Sequence, residues 1–179
     1  VRLEPTPLAG AFVVEQDRIT DERGFFARTF DAEVFVAAGL NPRVIQCNTS
    51  FNARAGTLRG MHLQAAPHGE TKLVRCTRGA IVDVLVDLRE DSPTRHQWFA
   101  AELSAENGRA LYVPEGLAHG FQTLVDDSEV FYVMGSEYVP EAATGVRWDD
   151  PAFGIAWPEP PAGGRTIAAR DASYPDVAA

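Results

Sequence analysis

Ala80-Ile-Val-Asp-Val-Leu-Val-Asp-Leu88 reads as one strand with two apolar faces. Side chains alternate along extended backbone, so Val82, Val84, Val86 and Leu88 point one way and Ile81, Asp83, Leu85 and Asp87 the other. A strand apolar on both sides is covered on both sides, which makes Asp83 a buried carboxylate. Similar short runs lie on either side of it: Arg43–Thr49, Thr57–Leu63, Lys72–Cys76, Trp98–Leu103, Arg109–Val113 and Glu129–Met134. Turn signals separate them, among them Asp21-Glu-Arg-Gly24, Pro67-His-Gly69 and Glu106-Asn-Gly108. Many short strands at this spacing predict an all-β sandwich or barrel. A short helix is expected from Asp31, as N-cap, through Ala38, with Gly39 ending it. The Pro-, Gly- and Ala-rich stretch from Asp150 is expected to be loops and short turns.

The chain has 179 residues, 45% hydrophobic and 23% charged, enough for one domain with a substantial core. Sixteen basic and twenty-five acidic residues give a net charge of −9, which argues against nucleic-acid or membrane-surface partners. Only one basic residue, Lys72, is a lysine. Cys47 and Cys76 are too few for a disulfide scaffold and read as small buried hydrophobes. Val1–Gly10 carries no signal-peptide pattern, so the cytoplasm is the expected compartment.

Several strands place polar residues together on one face. Gln46, Asn48 and Ser50 share a side, and His62 and Gln64 share one opposite Met61 and Leu63. A barrel whose lumen holds a polar ligand satisfies this pattern, and solvated sheet exteriors satisfy it too. Removing a proton from carbon beside a ketone would give these groups a joint purpose. His62 is the candidate base, held in one tautomer by a carboxylate for which Asp83 and Asp171 are candidates. Lys72 could meet the charge that develops on the ketone oxygen, and Tyr132 could return a proton from the opposite side. Arg23, Arg59, Arg28 and Arg170 could fork onto phosphate oxygens. His119 follows the turn Pro114-Glu-Gly-Leu-Ala118 at the start of a further strand.

The chain strongly resembles the dTDP-4-dehydrorhamnose 3,5-epimerase family. The matching motifs include Asp21-Glu-Arg-Gly-Phe-Phe26, Gln46-x-Asn48-x-Ser50, Gly56-Thr-Leu-Arg-Gly-Met-His62-x-Gln64 and Lys72-Leu-Val-Arg-x-x-Arg-Gly79. They continue with Asp83-x-x-x-Asp87-x-Arg89, Val113-Pro-Glu-Gly-x-Ala-His-Gly-Phe121, Tyr132, Tyr138-x-Pro140-Glu141 and Arg147-Trp-Asp-Asp-Pro151. The resemblance implies a cupin-like jelly-roll barrel, a homodimer, no metal or organic cofactor, and a nucleoside-diphosphate 4-keto-6-deoxy sugar epimerised at C3, C5 or both. It implies His62 as base, Tyr132 as acid, Lys72 near the ketone, and Asp171 and Asp83 as acidic partners of that site. Arg23, Arg59 and His119 match residues that bind diphosphate and sugar. Gln46, Asn48, Phe26 and Tyr138 match nucleotide contacts. Arg28, Ala143 and Arg170 depart from the family pattern, which has Glu, Glu and Lys there. All three departures concern ligand binding and leave the base and acid intact. The competing readings are a 3,4-ketoisomerase on the same substrate class and a metal-dependent cupin oxygenase. His62-Leu63-Gln64 lacks the second histidine that the metal site of such an oxygenase usually uses.

Overall fold

A computed structural model describes residues 1–177 as two facing β-sheets with a small hairpin beside them. In chain order the strands are β1 (Arg2–Pro5), β2 (Phe12–Glu15), β3 (Arg18–Asp21), β4 (Gly24–Ala27), β5 (Gln46–Asn52), β6 (Thr57–Gln64), β7 (Lys72–Arg78) and β8 (Ala80–Asp87). They continue with β9 (Trp98–Ser104), β10 (Ala110–Val113), β11 (Leu117–Thr123), β12 (Ser128–Met134), β13 (Ala143–Gly145) and β14 (Thr166–Ile167). Two short α-helices, α1 (Ala32–Ala37) and α2 (Ala169–Ala172), and a 3-10 turn at Pro140–Ala142 complete the described chain. The first sheet runs β1-β2-β10-β7-β12-β5 and the second β13-β6-β11-β8-β9, with β14 alongside β6. The all-β jelly-roll expectation holds, and among the described residues no helix is long and apolar enough to cross a membrane.

The two faces of β8 go to two different cores, as its alternation requires. Ile81 and Leu85 pack between the sheets with Val74, Leu111, Phe121 and Val130. Val84 and Val86 pack on the outer face with Met61, Ala118, Val146 and Phe153 from the C-terminal segment. A third cluster, built on Phe35 of α1, covers the other outer face with Val14, Leu73 and Tyr112. Asp31 caps α1 by accepting from Glu33 N–H. Gly39, at φ +72°, ends it, and Leu40 N–H returns to Phe35 O at 2.9 Å.

Some boundaries differ from the sequence reading. The run expected at Arg43–Thr49 forms its strand at Gln46–Asn52, because Asn41 Oδ1 accepts from Arg43 N–H and turns the chain first. Strands β1 to β4, β13 and β14 are only two to four residues long, too short for alternation to stand out. Of the two cysteines, Cys76 is buried, whereas Cys47 is exposed on the edge strand β5.

Candidate active site

Strand β6 carries both an arginine and a histidine into one cavity, although Arg59 and His62 stand three residues apart and simple alternation would separate them. A bulge resolves the conflict: His119 pairs with His62 and Phe121 with Arg59, so Gly120 of β11 alone opposes Gly60 and Met61 of β6. The bulge depends on close backbone approach. A Cβ on Gly60, at φ +123°, would lie 2.5 Å from Gly120 Cα and 2.8 Å from His119 O.

The resulting cavity, about 360 Å³, lies between β5, β7 and β12 on one side and β6 and β11 on the other. His62 and Arg59 line one wall, and Tyr132 and Asn48, paired across β12 and β5, line the other. Lys72, His119, Tyr138 and Arg170, also expected, line it as well.

Asp171, on α2, brings its Oδ1 to 2.8 Å from His62 Nε2, and its Oδ2 accepts from Gly60 N–H at 3.0 Å. A carboxylate only accepts, so Nε2 carries the proton and Nδ1 keeps its lone pair. Burial lowers the His62 pKa from its ordinary value and outweighs Asp171, which raises it; the charges of Lys72 and His119 add to the lowering. The imidazole is therefore neutral, and basic at Nδ1, near pH 7.

Asp83 does not hold His62. It pairs with His119 instead, Nε2 to Oδ1 at 2.6 Å, with both side chains buried and Asp83 Oδ2 left without a partner. The reason is register: Asp83 lies opposite Phe121, on the far side of β11 from β6. Removing His119 from this pair would leave a buried charge at a cost of about 3 kcal/mol or more. The His119 ring meets Tyr132 edge-on at 6.2 Å. Burial pushes the Tyr132 phenol well above its ordinary range and the charge of Asp83 adds to this, so Tyr132 holds its proton.

Lys72 Nζ lies 2.9 Å from Glu70 Oε1 and donates to His62 O at 3.2 Å. Gln64 braces the mouth: its Oε1 accepts from Val139 N–H at 2.6 Å and its Nε2 donates to Glu137 O, fixing the segment that carries Tyr138. The Arg170 guanidinium lies over the Tyr174 ring, which makes a T-shaped contact with His62.

Besides Asp83 and Asp171, which stand behind the two histidines, four expected residues do not line the cavity of their own chain. Arg23 and Phe26 sit on the projecting β3–β4 hairpin, exposed, with Arg23 bound to Asp21. Arg28 bonds to Asp31 at the start of α1. Gln46 shares the strand face of Asn48 but lies beyond the lining. Conversely, Glu70, Ser50 and Thr144 line the cavity although the sequence reading assigned them no role in the site. The signal for Glu70 was its place two residues before the lone lysine, and for Ser50 its shared face with Asn48. Among the described residues no group of three or more His, Cys, Asp or Glu is placed to hold a metal ion.

The fold and cavity define a jelly-roll protein with a polar cavity, a neutral histidine on one wall and a protonated tyrosine on the other. The sequence profile described as dTDP-4-dehydrorhamnose 3,5-epimerase matches residues 5–179, and this chain belongs to that family. It is 47% identical over 158 residues to the dTDP-4-dehydrorhamnose 3,5-epimerase of Methanothermobacter thermautotrophicus, spanning 88% of this chain and 84% of that protein. The crystal structure of dTDP-4-dehydrorhamnose 3,5-epimerase from Bacillus anthracis, with TDP and PPi bound, superposes with a TM-score of 0.92 at 39% identity, covering 98% of this chain and 99% of that one. ChmJ, a 3'-monoepimerase from Streptomyces bikiniensis in complex with dTDP-quinovose, superposes at 0.88 with 35% identity, covering 96% and 86%.

Proposed function

We propose that this chain epimerises a dTDP-linked 4-keto-6-deoxy sugar at C3, C5 or both, by way of an enolate and in deoxysugar biosynthesis. The observation that carries this reading is the pairing of His62 with Asp171 on one wall of a cavity whose opposite wall holds protonated Tyr132. His62 Nδ1 takes the proton from carbon beside the ketone. The C–H electron pair becomes the C=C bond of the enolate, and the carbonyl π pair moves onto oxygen. Lys72, whose side chain is only 7% exposed, meets that charge. Tyr132 then protonates the carbon from the other face, and solvent reprotonates the phenolate and takes the proton from His62. Arg59 and Arg170 supply cations for the diphosphate, His119 a contact to the sugar, and Asn48 and Tyr138 surfaces for the nucleoside.

The working unit in this reading is a homodimer. Ile19, Phe25 and Phe26 are exposed on the β3–β4 hairpin, and Phe51 is exposed on edge strand β5. Such apolar surface favours association, and a hairpin that projects from its own chain can deliver Arg23 and Phe26 to the cavity of a second copy. Arg28, bound in the α1 cap, is assigned no ligand role.

NMR of the product after incubation with dTDP-4-dehydro-6-deoxyglucose tests the reading. Inversion at C3, C5 or both is expected. A ketone displaced to C3 would replace epimerisation with keto-isomerisation, and recovery of unchanged sugar would overturn both.

A further inference from the structure

The only lysine of the chain is buried at the cavity wall, so what holds it matters. Lys72 Nζ donates to His62 O at 3.2 Å and is ion-paired with Glu70 Oε1 at 2.9 Å; the Lys72 and Glu70 side chains are only 7% and 9% exposed. An ammonium has three N–H groups and His62 O takes one, which leaves N–H capacity for the cavity. Glu70 is itself held in place by its neighbours. Ser136 Oγ donates to Gly69 O at 3.0 Å, Gly135 N–H donates to Thr71 O at 2.9 Å, and Asn41 Nδ2 donates to Thr71 Oγ1 at 3.2 Å. A braced loop therefore presents this carboxylate to the ammonium, and a buried ammonium deprived of its partner carries a large desolvation cost.

We propose that Glu70 is a positioning residue for the reaction: its charge fixes the Lys72 ammonium so that a free N–H is aimed at the oxygen that becomes the enolate. It also balances the ammonium charge before that oxygen acquires its own. This inference deepens the epimerase reading and rests on it. The full charge on the substrate oxygen exists only near the transition state, so the loss of Glu70 falls on kcat while KM stays nearly unchanged.

The test uses Glu70→Gln, which keeps the volume and an acceptor oxygen but removes the charge. Labelling with ¹⁵N-lysine gives a single side-chain resonance, because Lys72 is the only lysine. In the unaltered protein a sharp ammonium signal protected from solvent exchange is expected, and in Glu70→Gln a shifted or exchange-broadened one. The kcat of the variant should fall by about 10- to 100-fold with KM within about twofold. An unchanged resonance would overturn the proposal whatever the substrate proves to be. A changed resonance with unaltered kcat would overturn it too, showing a hold on Lys72 that the reaction does not use. If the unaltered protein leaves the keto sugar untouched, the epimerase reading fails, and the resonance alone then decides whether Glu70 positions Lys72.

Discussion

Asp171 reaches His62 from 109 residues further along the chain, with one oxygen 2.8 Å from the imidazole Nε2 and the other accepting from the backbone of Gly60. One carboxylate thus orients the base and anchors the strand bulge that presents it. Asp171→Asn can place an NH₂ group against Nε2 and so favour the wrong tautomer. A loss in kcat of about 100-fold or more is expected, with the fold intact by circular dichroism. Unimpaired turnover would remove Asp171 from the machinery.

The pH dependence follows from the sign of the His62 shift. Burial lowers its pKa below the ordinary value of 6.5, so proton uptake disables the base only on the acid side of that value. The acid limb of kcat/KM should lie below 6.5, and in Asp171→Asn it should move lower still, because the partner that raises the value is gone. For stability the sign is the same. The contribution of neutral His62 is present above its unfolded value and is lost as pH falls through the lowered folded one. Titration of the His62 ring by NMR checks both; an acid limb above pH 7 would contradict them.

Gly60→Ala tests the bulge. The new Cβ would press on Gly120 and His119 from a backbone conformation that L residues rarely adopt. A destabilisation of about 2 kcal/mol or more is expected in urea unfolding, together with reduced turnover in the folded fraction, since Gly60 N–H holds Asp171. A variant as stable and active as the parent would show that the bulge does not need glycine.

How much of this was legible in the sequence depended on distance along the chain. The alternation in Ile81–Leu88 was enough to place β8 between two cores and to bury Asp83. The Asp31 cap and Gly39 stop of α1 were equally local. The partners of the two histidines were not, because Asp83 and Asp171 are both carboxylates and only register tells which meets which imidazole. Alternation also misplaces Arg59 relative to His62; only the bulge, opposite Gly120, puts them on one wall. Arg23 and Phe26 matched family motifs that bind ligand, yet they sit on a hairpin that leaves its own chain's cavity. No pattern within one sequence distinguishes a contact made in the same subunit from one made in a second copy.

That last point gives a complementation experiment. Arg23→Ala and His62→Ala should each be nearly inactive alone. In a mixed dimer one cavity combines intact His62 of one copy with intact Arg23 of the other, so unfolding and refolding the two variants together should restore activity. Mixed dimers that form without regaining turnover would place Arg23 outside the partner's site.

The central claim is that His62 removes a carbon-bound proton from a nucleotide-linked keto sugar. Its most direct test is to incubate the protein with dTDP-4-dehydro-6-deoxyglucose in D₂O and follow C3 and C5 by NMR. Deuterium should enter one or both carbons with the unaltered protein and with Tyr132→Phe, where inversion is impaired, and should not enter with His62→Ala. Exchange that persists in His62→Ala, or is absent from the unaltered protein, would contradict the account.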